Sequence, residues 1–576
     1  MMLLSDSAMA VLQARYLRRD ETGQPIEDAV GMLHRVATAI SAPCRNFGED
    51  AGLWCERFRH RLERLEFLPN SPTLMNAGAA GGQLAACFVL PIDDNLDSIF
   101  VTLGLAARIQ QTGGGTGFSF SKLRPRGDVV RSTGGSSSGP VSFMELFDHS
   151  TAVIRAGGRR RGANMGVLRV DHPDILEFIV SKRRPGRLEN FNLSVGVTDS
   201  FFSSMKSGAP VSLRDPRSGR IRGCVSAAQL FDQLAESTWA CGDPGLLFLD
   251  EINRCNPVPS LGPIEATNPC GEQPLLPYES CTLGSINLGR FVSGENIKWD
   301  ALGETIADAV TFLDNVVEAN RYPTPQIRRA TLNTRKIGLG VMGLADLLAE
   351  IGVSYGSQQA TQIGGEIAEF LTRKARAVSA ELGQRRGSFP AFKGSVWRER
   401  GHVAMRNATV TCIAPTGTIG IIAGASSGIE PFFALATARQ ILDGRKFVEV
   451  NASLERELKQ LGSAGDEAMT SVRRCGTISG TAVAEDIKRR FPVAHEIEPQ
   501  LHLRMQAAFQ AHVDAAVSKT VNLPADSTAQ VIGEVFLLAH ELRLKGVTAY
   551  RYGSRPGQTL SIVDDSDAPD CRECSV

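Results

Sequence analysis

Residues 268–272, Asn268-Pro269-Cys270-Gly271-Glu272, place an amide, a thiol and a carboxylate on one short stretch of chain. Pro269 and Gly271 keep this stretch out of a regular helix or strand, so it is predicted to be a loop. A single cysteine is most often a small buried apolar residue. Polar neighbours on a buried loop must be hydrogen-bonded or functional, and Asn268 and Glu272 therefore favour a chemical role for Cys270.

Two Gly-rich segments lie on either side of this loop. The segment Gly113 to Phe118 has neither the lysine of a Walker loop nor the glycine spacing of a dinucleotide fingerprint, so a strand-entry turn that needs positive φ is an equal alternative. The second segment, Ala414 to Gly420, follows an apolar run. If a helix begins there, its free N–H groups and two hydroxyls face an incoming anion. Simple N-capping by Thr416 is the slightly favoured alternative on spacing alone.

The last residues contain a second pair of thiols, Cys571 and Cys574, after an acidic stretch. Their spacing suits a zinc half-site or a redox dithiol. Zinc needs two further ligands, and no second close Cys/His pair is visible, so no protein-bound metal is predicted. A dithiol on a mobile tail is the favoured interpretation, and an incidental tail is the alternative.

Composition limits the function classes. The chain has 576 residues, with 62 Lys+Arg against 62 Asp+Glu, so no global field holds nucleic acid or an anionic membrane. The N-terminus has no signal-peptide pattern and no clean apolar stretch of about 20 residues exists, which predicts a cytoplasmic protein without membrane partners. Short apolar runs alternate with helical patterns from about residue 66 and predict an α/β body with mainly parallel sheet, after a small helical domain.

Five motifs together resemble the catalytic chain of ribonucleotide reductases. They are Asn268 to Glu272, Cys281-Thr282-Leu283, Leu68 to Thr73, Gly113 to Phe120 and Pro415 to Thr418. The resemblance covers about residues 4–555. It implies a ten-stranded α/β barrel of two five-stranded parallel halves, with a central finger loop that carries Cys270. The implied domains are helical residues 1–65 without an ATP cone, barrel residues 66–555 and a redox tail at 556–576.

The resemblance also implies residue roles. Cys270 would become a thiyl radical and take the 3′ hydrogen of the ribose, Glu272 would be the base at the 3′ hydroxyl, and Asn268 would bind the sugar. Cys87 and Cys281 would supply the two electrons by forming a disulfide, which thioredoxin would reduce through Cys571 and Cys574. The positions that match substrate-binding residues are Ser71, Ala86, Gly115, Ala414, Pro415, Thr416, Gly417 and Thr418.

The radical source separates the classes within this family. Reductases that import a radical from a metal-containing subunit carry two adjacent tyrosines near the C-terminus, whereas this chain has Tyr550-Arg551-Tyr552. The glycyl-radical motif is missing too. Lys545 to Arg551 and Gly134 to Met144 instead resemble the adenosylcobalamin-dependent class, whose cofactor makes its own radical.

Effector control is a further implication of the resemblance. Asp94, Leu96, Arg124 and Arg131 match positions that bind a deoxynucleotide effector at the interface of a homodimer, and Gly157 to Asn164 resembles the loop that passes the effector's identity to the substrate. The sequence is thus identified as that of an adenosylcobalamin-dependent reductase that converts ribonucleoside diphosphates, rather than triphosphates, to deoxyribonucleotides. The alternatives are a partner-dependent reductase and a catalytically silent nucleotide-binding regulator on the same fold.

Overall fold

The computed structural model describes residues 4–79, 81–130, 134–154, 162–440 and 446–555. Three helices begin the chain, as the sequence predicts, at Asp6–Arg15, Ala29–Ser41 and Ala51–Glu63. Their apolar faces pack into the same hydrophobic core as barrel residues, for example Val36 with Leu313. The boundary at residue 65 therefore stays a prediction, since the helical segment has no separate core.

Nine strands form most of the barrel wall. In chain order they are β1 Cys87–Val89, β2 Gly115–Ser119, β3 Asn164–Arg169, β4 Phe191–Val197, β5 Gly245–Phe248, β6 Ser280–Asn287, β7 Ile337–Met342, β8 Thr520–Leu523 and β9 Gly546–Arg551. Strands β1 to β5 pair in parallel in that order. The second half pairs β6 with β7 and β8 with β9, also in parallel.

Residues 411–413 complete the second half. Leu339 bridges Thr411 and Ile413 bridges Val517, both in parallel, so this segment lies between β7 and the start of β8. The two halves meet at antiparallel seams, β1 with β6 and β5 with β9. The ring therefore closes as two parallel five-membered halves, which confirms the expected architecture. This fifth member of the half is present only as these bridges.

Helices connect and cover the strands. After the first three they are Ser71–Asn76, Leu96–Gln111, Pro140–Val153, Ile175–Val180, Asp199–Ser207, Ala227–Cys241, Leu249–Arg254, Trp299–Ala319, Pro325–Thr334, Leu344–Glu350, Gln358–Arg386, Val396–Glu399, Gly417–Ala423, Ala452–Lys459, Ser463–Cys475, Glu485–Arg490, Pro499–Gln510 and Ala529–Glu541. Within the described part of the chain, no helix combines the length and apolar character needed to cross a bilayer.

The remaining elements are short 3₁₀ turns and short strands. The 3₁₀ turns are Ala42–Phe47, Pro259–Leu261, Leu288–Phe291, Pro390–Gly394 and Ala494–Glu496. Strand Phe67–Pro69 pairs with β6 beyond the end of β1. The other short strands pair as hairpins, which are Val129–Val130 with Gly135–Ser136, Pro210–Arg214 with Ile221–Ser226, Ala266–Thr267 with Pro274–Leu275, Val292–Ser293 with Asn296–Ile297 and Ala436–Gln440 with Lys446–Val450.

The hairpin Ala266–Thr267 with Pro274–Leu275 carries Cys270 at its turn, and we call it the finger hairpin. It packs on β2 so closely that a Cβ at Gly117 would lie 1.7 Å from the carbonyl oxygen of Thr267. A Cβ at Gly115 would lie 2.8 Å from Pro269. Among the glycines from Gly113 to Gly117, only Gly113 has the positive φ that a strand-entry turn needs, and its φ is 92°. The others in β2 are required by close approach.

Candidate active site

A cavity of about 310 Å³ lies between the finger hairpin and the barrel wall. It brings together twelve of the predicted site residues, which are Ser71, Ala86, Cys87, Gly115, Asn268, Cys270, Glu272, Ala414, Pro415, Thr416, Gly417 and Thr418. A more open groove of about 620 Å³, beside Tyr278 and Arg329, contains none of them. The smaller cavity is therefore the candidate site, because it gathers groups that are far apart in the sequence.

The finger hairpin presents its three polar side chains differently. Cys270 is exposed at the turn, while Asn268 and Glu272 are buried on its flanks. The Asn268 side chain accepts a hydrogen bond from the Gln273 N–H at 2.9 Å and donates to the Cys87 sulfur at 3.2 Å. The turn itself is held by Asn192, whose amide donates to the Pro269 carbonyl at 2.8 Å. The hairpin is thus held close to its turn, where it presents the Cys270 thiol.

Cys87 and Cys281 face each other across an antiparallel seam of the barrel. They are register partners of β1 and β6, although Cys281 lies behind the residues that line the cavity. Directly opposed residues in antiparallel strands have Cβ atoms about 4.5–5.5 Å apart, within reach of a disulfide after small movements. Burial raises the pKa of both thiols well above the usual range, and for Cys281 the nearby Lys336 ammonium opposes this rise. Both side chains are therefore thiols at neutral pH.

The segment Ala414 to Thr418 leads into a short helix, Gly417–Ala423, so the condition set in the sequence analysis, that a helix begins here, is met. The expected N-cap by Thr416 is wrong, because its side chain makes no capping hydrogen bond. Thr416 has a φ of 51°, whereas an N-cap residue that bonds the first turn usually has extended backbone. Its hydroxyl instead accepts a hydrogen bond from the Gly428 N–H at 2.7 Å. The hydroxyl therefore ties the segment to the following loop.

Three of the predicted effector residues, Asp94, Leu96 and Arg124, lie outside the cavity. Asp94 pairs with Arg124 at 2.9 Å, and Leu96 is 61% exposed at the start of its helix. Sequence reasoning missed Arg217, whose Nε lies 3.7 Å from Asp94. Arg131 and residues 157–161 lie outside the described residues, as do Cys571 and Cys574. The Asp94–Arg124 ion pair therefore forms a charged site next to the exposed start of the helix Leu96–Gln111.

The tyrosines near the C-terminus flank a cation that packs against a tryptophan. Arg551 stacks over Trp239 at 4.4 Å and donates to its carbonyl oxygen at 3.1 Å. Tyr550 lies in β9 against Gly242, where a Cβ would come within 3.1 Å of its ring. Tyr552 follows the strand and is buried. Each aromatic ring therefore has its own packing site.

Comparisons with known proteins agree with this geometry. The family model described as ribonucleotide reductase, barrel domain, matches residues 85–550, and the model described as ribonucleotide reductase, all-alpha domain, matches residues 2–82. The chain is 50% identical to a vitamin B12-dependent ribonucleoside-diphosphate reductase of Mycobacterium tuberculosis, covering 97% of this chain and 81% of that protein. It is 46% identical to a relative of the same description in Thermoplasma acidophilum, covering 97% and 80%.

A solved structure resembles the whole fold. The class Id ribonucleotide reductase alpha subunit of Actinobacillus ureae superposes with a TM-score of 0.77 at 24% identity, covering 96% of this chain and 97% of that chain. This likeness supports the barrel architecture alone.

The difference in burial between the cysteine thiols predicts a difference in their rates of alkylation. At pH 8 iodoacetamide should modify Cys270 and the exposed Cys224, while Cys87 and Cys281 react slower by a factor on the order of ten or more. The reason is that a raised pKa leaves less thiolate at a given pH, and burial also blocks the reagent. Peptide mass spectrometry after timed quenching measures the rates. Alkylation of Cys87 as fast as that of Cys224 in the folded protein would contradict the arrangement, and denatured protein provides the control.

Proposed function

The chain belongs to the ribonucleotide reductase family, and from this premise we propose that it reduces ribonucleoside diphosphates with adenosylcobalamin as its radical source. The observation that carries the proposal is the cavity in which Cys270, Asn268, Glu272 and Cys87 meet, with Cys281 across the seam from Cys87. The relatives at 50% and 46% identity are both vitamin B12-dependent ribonucleoside-diphosphate reductases, so their names give both the cofactor and the diphosphate substrate. A silent nucleotide-binding regulator needs none of these thiols.

The proposed reaction assigns one task to each side chain. A thiyl radical at Cys270 takes the 3′ hydrogen of the ribose, and buried Glu272 accepts the proton of the 3′ hydroxyl. Asn268 holds the sugar through its amide. The 2′ hydroxyl leaves as water, and Cys87 and Cys281 each give up a hydrogen as they form one disulfide, which supplies the two electrons. One of these two hydrogens leaves in the water and the other goes to the 2′ carbon. Cys270 then returns its hydrogen to the 3′ carbon and Glu272 returns its proton to the 3′ oxygen, so atoms and electrons balance.

The residues around Cys270 fit an external radical source. The Cys270 thiol is exposed at the hairpin tip, whereas the other two thiols are buried. When bound, adenosylcobalamin supplies a carbon radical by homolysis of its cobalt–carbon bond. The chain's own contribution is to hold the Cys270 sulfur at the cavity and to shield the site from water. Arg551, which is anchored on Trp239, interrupts the adjacent tyrosine pair that a relay from another subunit uses.

Turnover with purified components tests this proposal. Protein mixed with adenosylcobalamin, an effector and a dithiol should convert CDP to dCDP with no second protein and no iron or manganese. Cys270→Ser should abolish turnover, because the serine O–H bond is too strong to serve as a radical relay, and it should leave CDP binding intact. Cys224→Ser is the matched control at an exposed cysteine outside the cavity, and Tyr550→Phe should remain active.

Three results would overturn it. Wild-type-like turnover by Cys270→Ser would remove the radical assignment. Activity that appears only with a metal-radical subunit would favour the partner-dependent class. Binding of CDP without any turnover under either condition would favour the nucleotide-binding regulator.

We propose that Cys571 and Cys574 re-reduce the buried disulfide. A protein reductant such as thioredoxin cannot enter a cavity of about 310 Å³, whereas a dithiol at the end of the chain can exchange with it. The double substitution Cys571→Ser with Cys574→Ser should abolish multiple turnovers with thioredoxin and leave most of the turnover with dithiothreitol. Equal support of the double variant by both reductants would show that another route carries the electrons.

We propose further that the protein is a homodimer under effector control. Exposed apolar side chains lie on two neighbouring helices, Leu96–Gln111 and Pro140–Val153, and they are Leu96, Phe100, Val101, Leu146 and Val153. The Asp94–Arg124 pair lies next to the start of the helix Leu96–Gln111, so an effector bound there would contact the proposed interface. Arg124 would attract its phosphates.

A change in product ratio measures this control. Coupling of about 1–3 kcal/mol between effector and substrate sites corresponds to ratios changed by roughly 5-fold to 150-fold. In competition assays with mixed substrates, different deoxynucleotides should shift the wild-type ratios, and ultracentrifugation should detect a dimer. Val101→Asp should weaken both the dimer and the shift, while Val403→Asp, at another exposed valine, should change neither. One ratio for every effector would refute effector control.

A further inference from the structure

A buried lysine lies beside the proposed redox pair and has no task in the reaction described above. Lys336 is 1% exposed, and its ammonium donates a hydrogen bond to Oε2 of Glu279 at 2.7 Å. Among the described residues, Glu279 is the one hydrogen-bond partner of this ammonium. An ammonium carries three N–H groups, so two of them have no acceptor within that part of the chain. Buried polar groups almost always have partners, and these unused donors need an explanation.

Strand pairing places Lys336 in one row with the two thiols. In β1, Cys87 is opposite Gly115 of β2 on one side and opposite Cys281 of β6 on the other. The printed ladder between β6 and β7 starts one residue after Cys281, so the residue beside Cys281 in this row is Lys336. The row therefore runs Gly115, Cys87, Cys281, Lys336. Its first two members line the cavity, and its last member is a cation.

The side chains of Cys281 and Lys336 lie on the same face of the sheet. Leu283 is opposite Gly338, and a Cβ at Gly338 would lie 2.7 Å from the Leu283 side chain. The same Cβ would lie 2.3 Å from Nε2 of Gln273 on the finger hairpin, so this face is the barrel interior. Cys281 and Lys336 each come two residues earlier, and side chains two residues apart in a strand point the same way.

The two sulfurs of the pair have different charged neighbours. Burial raises the pKa of both thiols, and the Glu272 carboxylate adds to this rise at each of them. At Cys281 the Lys336 ammonium opposes the rise, although its ion-pair partner acts in the same direction as Glu272. At Cys87 the opposing group is the neutral amide of Asn268. Lys336 therefore favours a thiolate at one sulfur of the pair and not at the other.

We propose that Lys336 sets the direction in which the Cys87–Cys281 disulfide is reopened, by stabilising Cys281 as the leaving thiolate. This inference rests on the proposed function, which forms that disulfide in each turnover. A thiolate of the reductant meets Cys87 first, because Cys87 lines the cavity and Cys281 does not. The attacking, central and leaving sulfurs of such an exchange lie nearly in line. Attack on Cys87 from the cavity thus drives the leaving sulfur toward the cation, and a better-stabilised thiolate leaves faster.

Atoms and electrons balance over two exchanges with a dithiol reductant. The first thiolate forms a bond to the Cys87 sulfur, the Cys87–Cys281 bond breaks, and its electron pair stays on the Cys281 sulfur. The second thiol of the reductant then displaces Cys87 and closes the reductant's own disulfide. The two protons of the reductant end on Cys87 and Cys281, so the dithiol is oxidised and the pair is reduced. Lys336 keeps its proton throughout and acts as a positioning residue.

The site of attack can be measured in the full-length wild-type protein. Turnover with CDP and adenosylcobalamin in the absence of a reductant should leave the pair oxidised. The protein is then exposed briefly to 2-mercaptoethanol, quenched in acid and labelled with N-ethylmaleimide. Peptide mass spectrometry should find mercaptoethanol on Cys87 and maleimide on Cys281 at least about ten times as often as the reverse, the preference expected from one hydrogen bond to a charged group. A majority of mercaptoethanol on Cys281 overturns the proposal.

Removal of the cation tests Lys336 itself. The double substitution Lys336→Met with Glu279→Gln removes both charges, which costs less stability than removal of one partner of a buried ion pair. Reopening of the oxidised pair by dithiothreitol should slow by about tenfold or more, and the mercaptoethanol ratio should fall by a similar factor. The ratio falls because attack on Cys281 does not use the cation. An unchanged rate overturns the proposal, as does a slower rate with an unchanged ratio, which would assign Lys336 a structural role.

A second buried ion pair provides the matched control. Lys519 is 4% exposed and is paired with Glu430 at 2.5 Å, and neither residue lines the cavity. Lys519→Met with Glu430→Gln should keep the wild-type rate and ratio, and an equal loss in this variant would overturn the assignment to Lys336. A wild-type protein that forms neither dCDP nor the disulfide overturns the proposed function instead. Where dCDP forms, the ratio and the rate decide the proposal on Lys336 alone.

Discussion

The close approach of the finger hairpin to β2 is the constraint on which the site depends. Side chains can fill the interior of a barrel of about eight strands, and the interior widens as strands are added, so a ten-stranded barrel has more space. Here a hairpin occupies that space, and it comes so near to Gly117 that even a methyl group would overlap the Thr267 carbonyl. The glycine allows the hairpin to enter, the hairpin carries Cys270 to the cavity, and the remaining space is what the substrate can use. The position of Cys270 in the barrel therefore depends on the absence of a side chain at Gly117.

The cavity combines buried thiols with a wall that carries no cation among its described residues. Burial keeps Cys87 and Cys281 protonated at neutral pH, which suits groups that must deliver hydrogen as well as electrons. Behind Cys281, Lys336 forms an ion pair with Glu279 at 2.7 Å, and both side chains are buried. The positive charge is thus compensated locally, and it stays outside the residues that would meet a nucleotide.

The sequence predicted features that depend on residues adjacent in the chain. It did not predict contacts between residues that are far apart in the chain. The loop around Cys270 was predictable from Pro269 and Gly271, whereas the helix after Thr416 was only one possibility. Closure into a barrel came from resemblance, because alternating strands and helices indicate only an α/β fold. The bond from Gly428 to Thr416 was not predictable, since it joins separate turns.

The position of Cys87 and Cys281 has a mechanical consequence. The strands that carry them belong to different halves of the barrel and meet at an antiparallel seam. With the proposed roles, oxidation would join the halves covalently at one seam, and reduction would leave that seam to hydrogen bonds and packing alone. Each catalytic cycle would then alternate between a barrel with a covalent link across this seam and a barrel without one. A stiffer oxidised barrel would hold its product differently from the way the reduced barrel holds its substrate.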